Sequence, residues 1–499
     1  MRAKAILILT PLVFLLLTLG CVCPPSFWQG PLPPGCSAQE ITPPIPGFDS
    51  NKTNYVPSAD ETPKSVQKKV ELIDVSVEVI TPRSDKNVSV DINGQIYNMQ
   101  RINEIYSKFK LSDVEKGGEY VLSFDGKTRS GTLKEYTFDY FPEPGTGREF
   151  FKGYYVAACH YCGVSYTRGN FLEPARTAYA EMKKNGATWV NLIPVWFFDD
   201  IYSSTVRPIY REEYGLEGKS GWQHATITDT ELKTLINDAH AAGLKVYLSP
   251  HVASINWGPD VKGKNDWAPK DINTWVESFG EFTKHYSSIA EETGVEIYSI
   301  GNELGTIIDP NHENNPGVKK EHWYEIIDIA RDNYSGPLTF SETCTSTDYC
   351  VPEHIEVWDK LDYIGYEWYV PINVDNNATL EEITAGAEKI FDESIEPLSK
   401  KFNKPIIFTE IGFEAKPHVW NRSYEGGGEG NFDKLAAAMA YDAILEAAKD
   451  ENYVKGMMVW TWTLGEDKHF DNWVYEYNGN EVTRSLTWAN LGKWFSYYK

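Results

Sequence analysis

From Phe151 to the C-terminus, short β-branched or aromatic runs alternate with longer stretches whose apolar residues recur at helical spacing. Tyr154-Tyr-Val-Ala-Ala158 reads as a strand, and Glu173 to Asn185 as a helix closed by Gly186. Thr188 to Val195 is the second strand. A helix from Asp229 to Ala242, opened by Thr228 and closed by Gly243, leads to the third, Leu244 to Leu248. A helix over Asp271 to Thr293 precedes the fourth strand, Val295 to Glu303, and Glu321 to Tyr334 precedes the fifth, Pro337 to Phe340. Asp362 to Gly365 begins the sixth. Leu380 to Phe402 leads to the seventh, Lys404 to Glu410, and Phe432 to Asp450 to the eighth, Lys455 to Trp462. A last helix fits Trp488 to Tyr498. Eight such units predict an α/β fold of the (β/α)8 TIM-barrel type over residues 150–499. The alternative, a doubly wound open sheet, is disfavoured in its nucleotide-binding forms because no Gly-rich loop follows the first strand.

The pattern upstream is different. Val70-Glu-Leu-Ile-Asp-Val-Ser-Val-Glu-Val-Ile80 alternates in part, and Asn87 to Ile92 alternates strictly before Asn93-Gly94. Glu119 to Phe124 runs into a second turn pair, Asp125-Gly126. Residues 65–143 therefore predict a small β-sandwich. It contains no Trp to stack on a sugar, so a structural appendage is the expected role. Residues 21–64 are rich in Pro, Ser, Thr and Asn without apolar periodicity, a spacer composition.

Residues 1–20 form a leader, with Arg2 and Lys4 ahead of the apolar Ala5 to Leu19. The run is short and no basic stop follows it, which suits a secretory signal better than a spanning helix. Leu19-Gly20-Cys21 resembles a lipoprotein cleavage site with Cys21 as the lipidated residue, although Thr18 departs from the pattern; a retained anchor is the alternative. Either way the mature chain is expected outside the cytoplasm, secreted or anchored to the outer face of the membrane through its N-terminus. The cysteines agree: Cys159 with Cys162, and Cys344 with Cys350, form two local pairs. These pairs fall at the ends of the first and fifth strands, too far apart for one zinc ion, so local disulfides are expected. A net charge of −24 over 499 residues repels phosphate backbones and argues against a nucleic-acid partner. The 14% aromatic content exceeds what core filling needs and leaves rings to stack on sugars.

Candidate chemistry concentrates at two strand ends, Glu303 in Tyr298-Ser-Ile-Gly-Asn-Glu303 and Glu410 in Pro405-Ile-Ile-Phe-Thr-Glu410. A carboxylate is costly in a packed core, so two of them closing apolar strands belong at a cleft. C-terminal strand ends form the reactive face of a barrel. Two opposed carboxylates there can split a glycosidic bond, one delivering a proton and the other attacking the anomeric carbon. Repulsion from ionised Glu410 is expected to hold the proton on Glu303. The reaction calls for no metal or cofactor. Schiff-base aldolases and metal-dependent hydrolases would want a strand-end Lys or clustered His, and here His251 is nearly alone with His160.

Gly301-Asn-Glu303 and Thr409-Glu-Ile-Gly412 resemble the clan A retaining glycoside hydrolases over most of the barrel. Gly243-Leu-Lys-Val, Trp358-Asp-Lys-Leu-Asp-Tyr-Ile-Gly365 and Lys404 to Gly412 are similar to the family-113 β-mannanases. The resemblance implies Glu303 as acid/base, Glu410 as nucleophile and Asn302 as donor to the sugar 2-hydroxyl. It places Tyr369 where a tyrosine holds the nucleophile, and Trp462 as the platform beneath the sugar, with Trp460 as rival. Glu367 stands where the clan often has His, and contact with sugar is the expected use. His251 is expected to bond a sugar hydroxyl or a catalytic carboxylate, and Trp196 and Trp257 are further platform candidates. The expected partner is a carbohydrate, β-mannan or β-glucan, acted on by a monomer. A catalytically inactive glycan-binding surface protein is the competing reading, disfavoured by retention of both glutamates and Asn302.

Overall fold

The computed structural model describes residues 70–157, 165–214, 225–255, 263–346, 350–421, 433–464, 475–478 and 481–499. The leader, Cys21, the Pro-rich spacer, Cys159, Cys162 and Trp257 lie outside the described residues. Among those described, no helix is long and apolar enough to cross a membrane.

Eight strands come first: β1 Leu72–Ile80, β2 Ser89–Ile92, β3 Gln95–Asn98, β4 Gln100–Arg101, β5 Tyr106–Glu115, β6 Glu119–Phe124, β7 Lys127–Thr132 and β8 Tyr136–Tyr140. They form two four-stranded sheets, ordered β4-β5-β1-β8 and β3-β2-β6-β7. The alternating residues Val75, Val77 and Val79 of β1, Val90 and Ile92 of β2 and Leu122 and Phe124 of β6 share one buried core. Burying one face of each sheet is what stabilises a sandwich this small. The module is docked on the following part of the chain by a buried ionic cluster. Asp442, fully buried, accepts from Arg83 Nε at 3.0 Å and Trp494 Nε1 at 2.8 Å and pairs with Lys493. Arg83 comes from the sandwich and Lys493 from the last helix, so the buried Asp442 carboxylate is compensated from both sides of the contact.

The barrel strands follow: β9 Phe151–Ala157, β10 Trp189–Leu192, β11 Val195–Phe198, β12 Lys245–Leu248, β13 His251–Ser254, β14 Ile297–Asn302, β15 Leu338–Cys344, β16 Ile364–Trp368, β17 Ile406–Ile411 and β18 Val454–Thr463. Eight of them close a barrel in the order β10-β12-β14-β15-β16-β17-β18-β9, every pairing parallel. Helices connect successive barrel strands, as right-handed crossovers require. Their ends follow the sequence signals. Thr228 and Glu231 form a reciprocal capping box on the helix Asp229–Ala241, and Asp271 caps Ile272–Thr293.

Three elements differ from expectation. The second strand stops at Leu192, and β11 and β13 form a separate two-stranded extension beyond Pro194 and Pro250. A proline cannot donate to the ladder, so each one interrupts its strand and lets the chain restart at a new angle. The fifth strand runs on through Ser341-Glu-Thr-Cys344 rather than ending at Phe340. The helix expected over Leu380 to Phe402 contains a wide π turn at Phe391–Ile395, ahead of Pro397.

Candidate active site

The mouth of the barrel is built from the ends of β14, β15, β16, β17 and β18, with one loop residue brought across it. Asn302 ends β14 and is buried, and Glu303 follows with a φ of +49°. A left-handed backbone is uncommon for a residue with a Cβ, and here the neighbouring strand holds it, Glu303 N–H donating to Ser341 O at 2.9 Å. Gly301 makes the approach feasible, since a Cβ there would come within 2.6 Å of the Phe340 ring. The turn swings the Glu303 carboxylate over the mouth, where a quarter of its side chain stays exposed.

Glu367 on β16 sits in register with Thr343 on β15 and Glu410 on β17. A register shift on each flank of β17 breaks its alternation beside Thr409 and Glu410. Tyr369 O–H donates to Glu410 Oε1, and the Glu410 side chain is nearly buried. Asn302 Nδ2 donates to Glu367 Oε1, as does Ser341 Oγ at 2.6 Å. Thr343 Oγ1 lies 2.7 Å from Glu367 Oε2 and 2.9 Å from Glu303 Oε1. Lys264, from the loop after β13, places its ammonium 2.7 Å from Glu303 Oε2 and donates also to Asn302 Oδ1. His251 reaches the same group, its Nδ1 3.5 Å from Lys264 Nζ.

These contacts set the charges. Burial alone would raise the Glu303 carboxyl, but the Lys264 ammonium and its hydrogen bond outweigh that and hold it below the usual carboxylate range. This reverses the expectation that Glu410 keeps a proton on Glu303: a cation at 2.7 Å outweighs the like charge. Burial, then the charges of Glu367 and Glu303, push Glu410 well up. Burial, then the charge of Glu303, pushes Glu367 up to about 8.

Several expected residues come together here: Asn302, Glu303, Glu367, Tyr369, Glu410 and His251. Glu367 is wholly buried and its oxygens are taken by Asn302, Ser341 and Thr343, so it does not reach into the cleft toward a sugar. Trp462 is buried at 3%, edge-on to Tyr154 at 5.3 Å in the core between barrel and helices. Its rival Trp460 keeps partial exposure and packs on Tyr155, which is itself 6.5 Å from the His251 ring. The pairing of β18 with β9 shifts between Val459 and Trp462, so the two indoles do not share a face as strict alternation would have it. Of the two indoles, only Trp460 keeps exposure. Trp196 is also elsewhere: its ring packs on Phe282, His285 and Tyr286 of the helix Ile272–Thr293.

Sequence reasoning missed Lys264, Thr343 and Glu342. Lys264 sits in a charged loop with no periodic signal. Glu342, buried, accepts from the backbone N–H of Leu304 and Thr343 at 2.9 and 3.0 Å and thereby pins the turn that carries Glu303. The alternation Thr339, Ser341, Thr343 was the available signal, polar residues spaced by two along a strand lining a barrel mouth. Cys344 and Cys350 form a disulfide that closes the loop after this strand.

Glu367 makes stability depend on pH. Its folded value, about 8, lies above the roughly 4.3 of an unfolded glutamate. The folded chain thus keeps a proton that the unfolded chain releases in that window. The contribution is complete below about pH 4 and is lost as the pH rises toward 8. The fall in thermal midpoint across this window should be shallower in Glu367→Gln, whose amide can donate to Thr343 as the protonated acid does. An unchanged slope in that variant would show Glu367 ionised in the folded protein.

A closed barrel of eight parallel strands with glutamates at the ends of the fourth and seventh defines a (β/α)8 glycoside hydrolase of the clan A architecture. The chain belongs to Glycoside Hydrolase Family 113, whose model matches residues 161–473. Among solved structures, a family-113 β-1,4-mannanase is 22% identical with a TM-score of 0.52, over 70% of this chain and 99% of that one. The family-113 β-mannanase AaManA from Alicyclobacillus acidocaldarius, in complex with ManMIm, is 21% identical with a TM-score of 0.53, over 70% of this chain and 97% of its own. No curated protein matches the chain.

Proposed function

We propose that this glycoside hydrolase cleaves β-1,4-linked mannan or manno-oligosaccharides with retention of configuration. One observation carries the reading: in a family-113 barrel, Glu303 follows the fourth strand and Glu410 lies at the end of the seventh, with Tyr369 O–H donating to the second. Glu410 attacks the anomeric carbon, and Tyr369 O–H stabilises its ionised form as the sugar displaces water. Glu303, protonated in the loaded site, delivers its proton to the departing oxygen and then takes one from the water that releases the sugar. Asn302, beside Glu303, holds Glu367 with one Nδ2–H and has a second for the 2-hydroxyl, a bond that strengthens as positive charge grows on the ring. Trp460 offers an aromatic face beneath the ring. The mannan preference rests on the family and on the names of its solved members. We place the protein outside the cytoplasm, supported by the composition of its leader and by the Cys344–Cys350 disulfide.

The test is incubation with β-mannan, β-glucan, xylan and chitosan, with the anomeric proton of the first product followed by NMR. Fastest release from mannan, with the β-anomer formed first, is the expected result. Preference for another polymer would overturn the substrate, and initial α-anomer would overturn retention.

A further inference from the structure

The hydrogen-bond bookkeeping around Thr343 does not close with two ionised neighbours. A threonine hydroxyl has one proton, yet its oxygen lies within hydrogen-bond distance of both Glu303 Oε1 and Glu367 Oε2. One contact must be donated by a carboxyl. Lys264 already faces Glu303 with an ammonium, so Glu303 is the ionised end. On Glu367, Oε1 already accepts from Asn302 Nδ2, and from Ser341 Oγ–H with Thr409 Oγ1–H donating in turn to Ser341 Oγ at 2.6 Å, which leaves Oε2 to carry the proton. The chain therefore has a direction: Glu367 Oε2–H donates to Thr343 Oγ1, whose own proton points at Glu303 Oε1.

We propose that Glu367 and Thr343 are a proton relay that arms Glu303: Glu367 stores the proton in the empty site and passes it through the Thr343 hydroxyl when substrate enters. The inference rests on Glu303 being the acid/base. In the empty site Lys264 holds Glu303 ionised, the wrong state for the first step. A sugar whose hydroxyls take over the ammonium of Lys264 removes that hold. The Thr343 Oγ1–H bond then breaks as Glu303 Oε1–H forms, while the Glu367 Oε2–H bond breaks and its proton replaces the one Thr343 gave. One proton moves, the negative charge passes from Glu303 to Glu367, and the hydroxyl turns round to donate to Glu367. Asn302 and Ser341 remain as donors to the new carboxylate.

The groups that face Glu367 favour this use. Burial and the Glu303 carboxylate oppose its ionisation, whereas Lys264 and the hydroxyls of Ser341 and Thr343 favour it, and the balance is upward; Glu342 on β15 and Glu410 on β17, raised by burial first, also face it. Tyr155 on β9, Tyr247 on β12 and Tyr369 are all raised by burial first and stay neutral, and His251 meets Lys264 through Nδ1 at 3.5 Å. The store is thus full at neutral pH. Lys264 does not compete as donor, because the carboxylates around it raise its ammonium despite burial. Glu367 is wholly buried and Thr343 acts through its hydroxyl on Glu303, so both are positioning residues.

The test is the pH profile of kcat/KM on a manno-oligosaccharide, whose poor leaving group needs the acid, with a dinitrophenyl β-mannoside as control. Thr343→Val keeps the shape and removes the hydroxyl; its alkaline limb should move acidward by about one pH unit on the oligosaccharide only. Thr343→Ser should return the limb toward its original place, and Glu367→Gln, which fills the site without a transferable proton, should move it as Val does. A Thr343→Val limb that stays put, or moves alkaline as loss of a donor to ionised Glu303 alone would make it, overturns the relay. If Thr343→Val does not fold, the Glu367→Gln and Thr343→Ser profiles decide in the same way. Failure of the acid/base role reads out separately, as equal loss on both substrates in Glu303→Gln.

Discussion

Glu410→Ala is expected to abolish turnover of aryl β-mannosides, with a loss on the order of 10⁵-fold, while the fold survives. Glu410 closes a fully buried strand and is held by Tyr369 O–H, and its truncation leaves a small polar hollow beneath the anomeric carbon. Azide can occupy that hollow and attack from the same face, so added azide should restore part of the rate and yield a glycosyl azide of α configuration. In the native enzyme Glu410 is pushed up by burial first and by Glu367 and Glu303 next. Unrescued loss, together with inverted product from the native enzyme, would remove Glu410 from the nucleophile's place.

Glu303→Gln is expected to split its effect by leaving group. Substrates whose departing oxygen needs a proton should slow by about 10²–10⁴-fold. A dinitrophenyl glycoside should still form the glycosyl-enzyme at a rate near the native one, because an acidic phenol departs unaided. Release from that intermediate needs Glu303 as base, so a burst of phenol followed by a slow steady state is the signature. Equal loss on both substrate types would leave Glu303 as a binding residue. The Lys264 contact adds an internal check. Lys264→Met should move the alkaline limb to higher pH, since the cation that holds Glu303 down is gone.

The barrel and its two glutamates were legible because each rests on a local signal. Apolar runs and helical periodicities alternate eight times, and a carboxylate that ends a buried strand has to meet solvent or a partner at the mouth. Tyr369 was placed by the resemblance to clan A rather than by a local signal, and it does bond Glu410. The fifth strand was cut short at Phe340 because Ser341, Glu342 and Thr343 look like loop residues, and only a neighbouring polar mouth makes them strand residues. The two tryptophans of the eighth strand were indistinguishable for a related reason. Alternation assigns Trp460 and Trp462 to one face, and the register shift against β9 that separates them involves a strand some three hundred residues away.

By itself the sequence determined the order of the elements, the barrel class, and the residues that end its strands, because hydrophobic periodicity and strand-end polarity are properties of a few consecutive residues. What Glu303 is paired with, which carboxyl stores a proton, and which indole faces the lumen were decided only by the tertiary structure. Lys264, Thr343 and Glu367 come from a loop and two strands; the first two reach Glu303 directly and Glu367 meets it through Thr343. Charge and proton positions depend on distances of a few ångströms between residues far apart in the chain, and only closure of the barrel sets those distances.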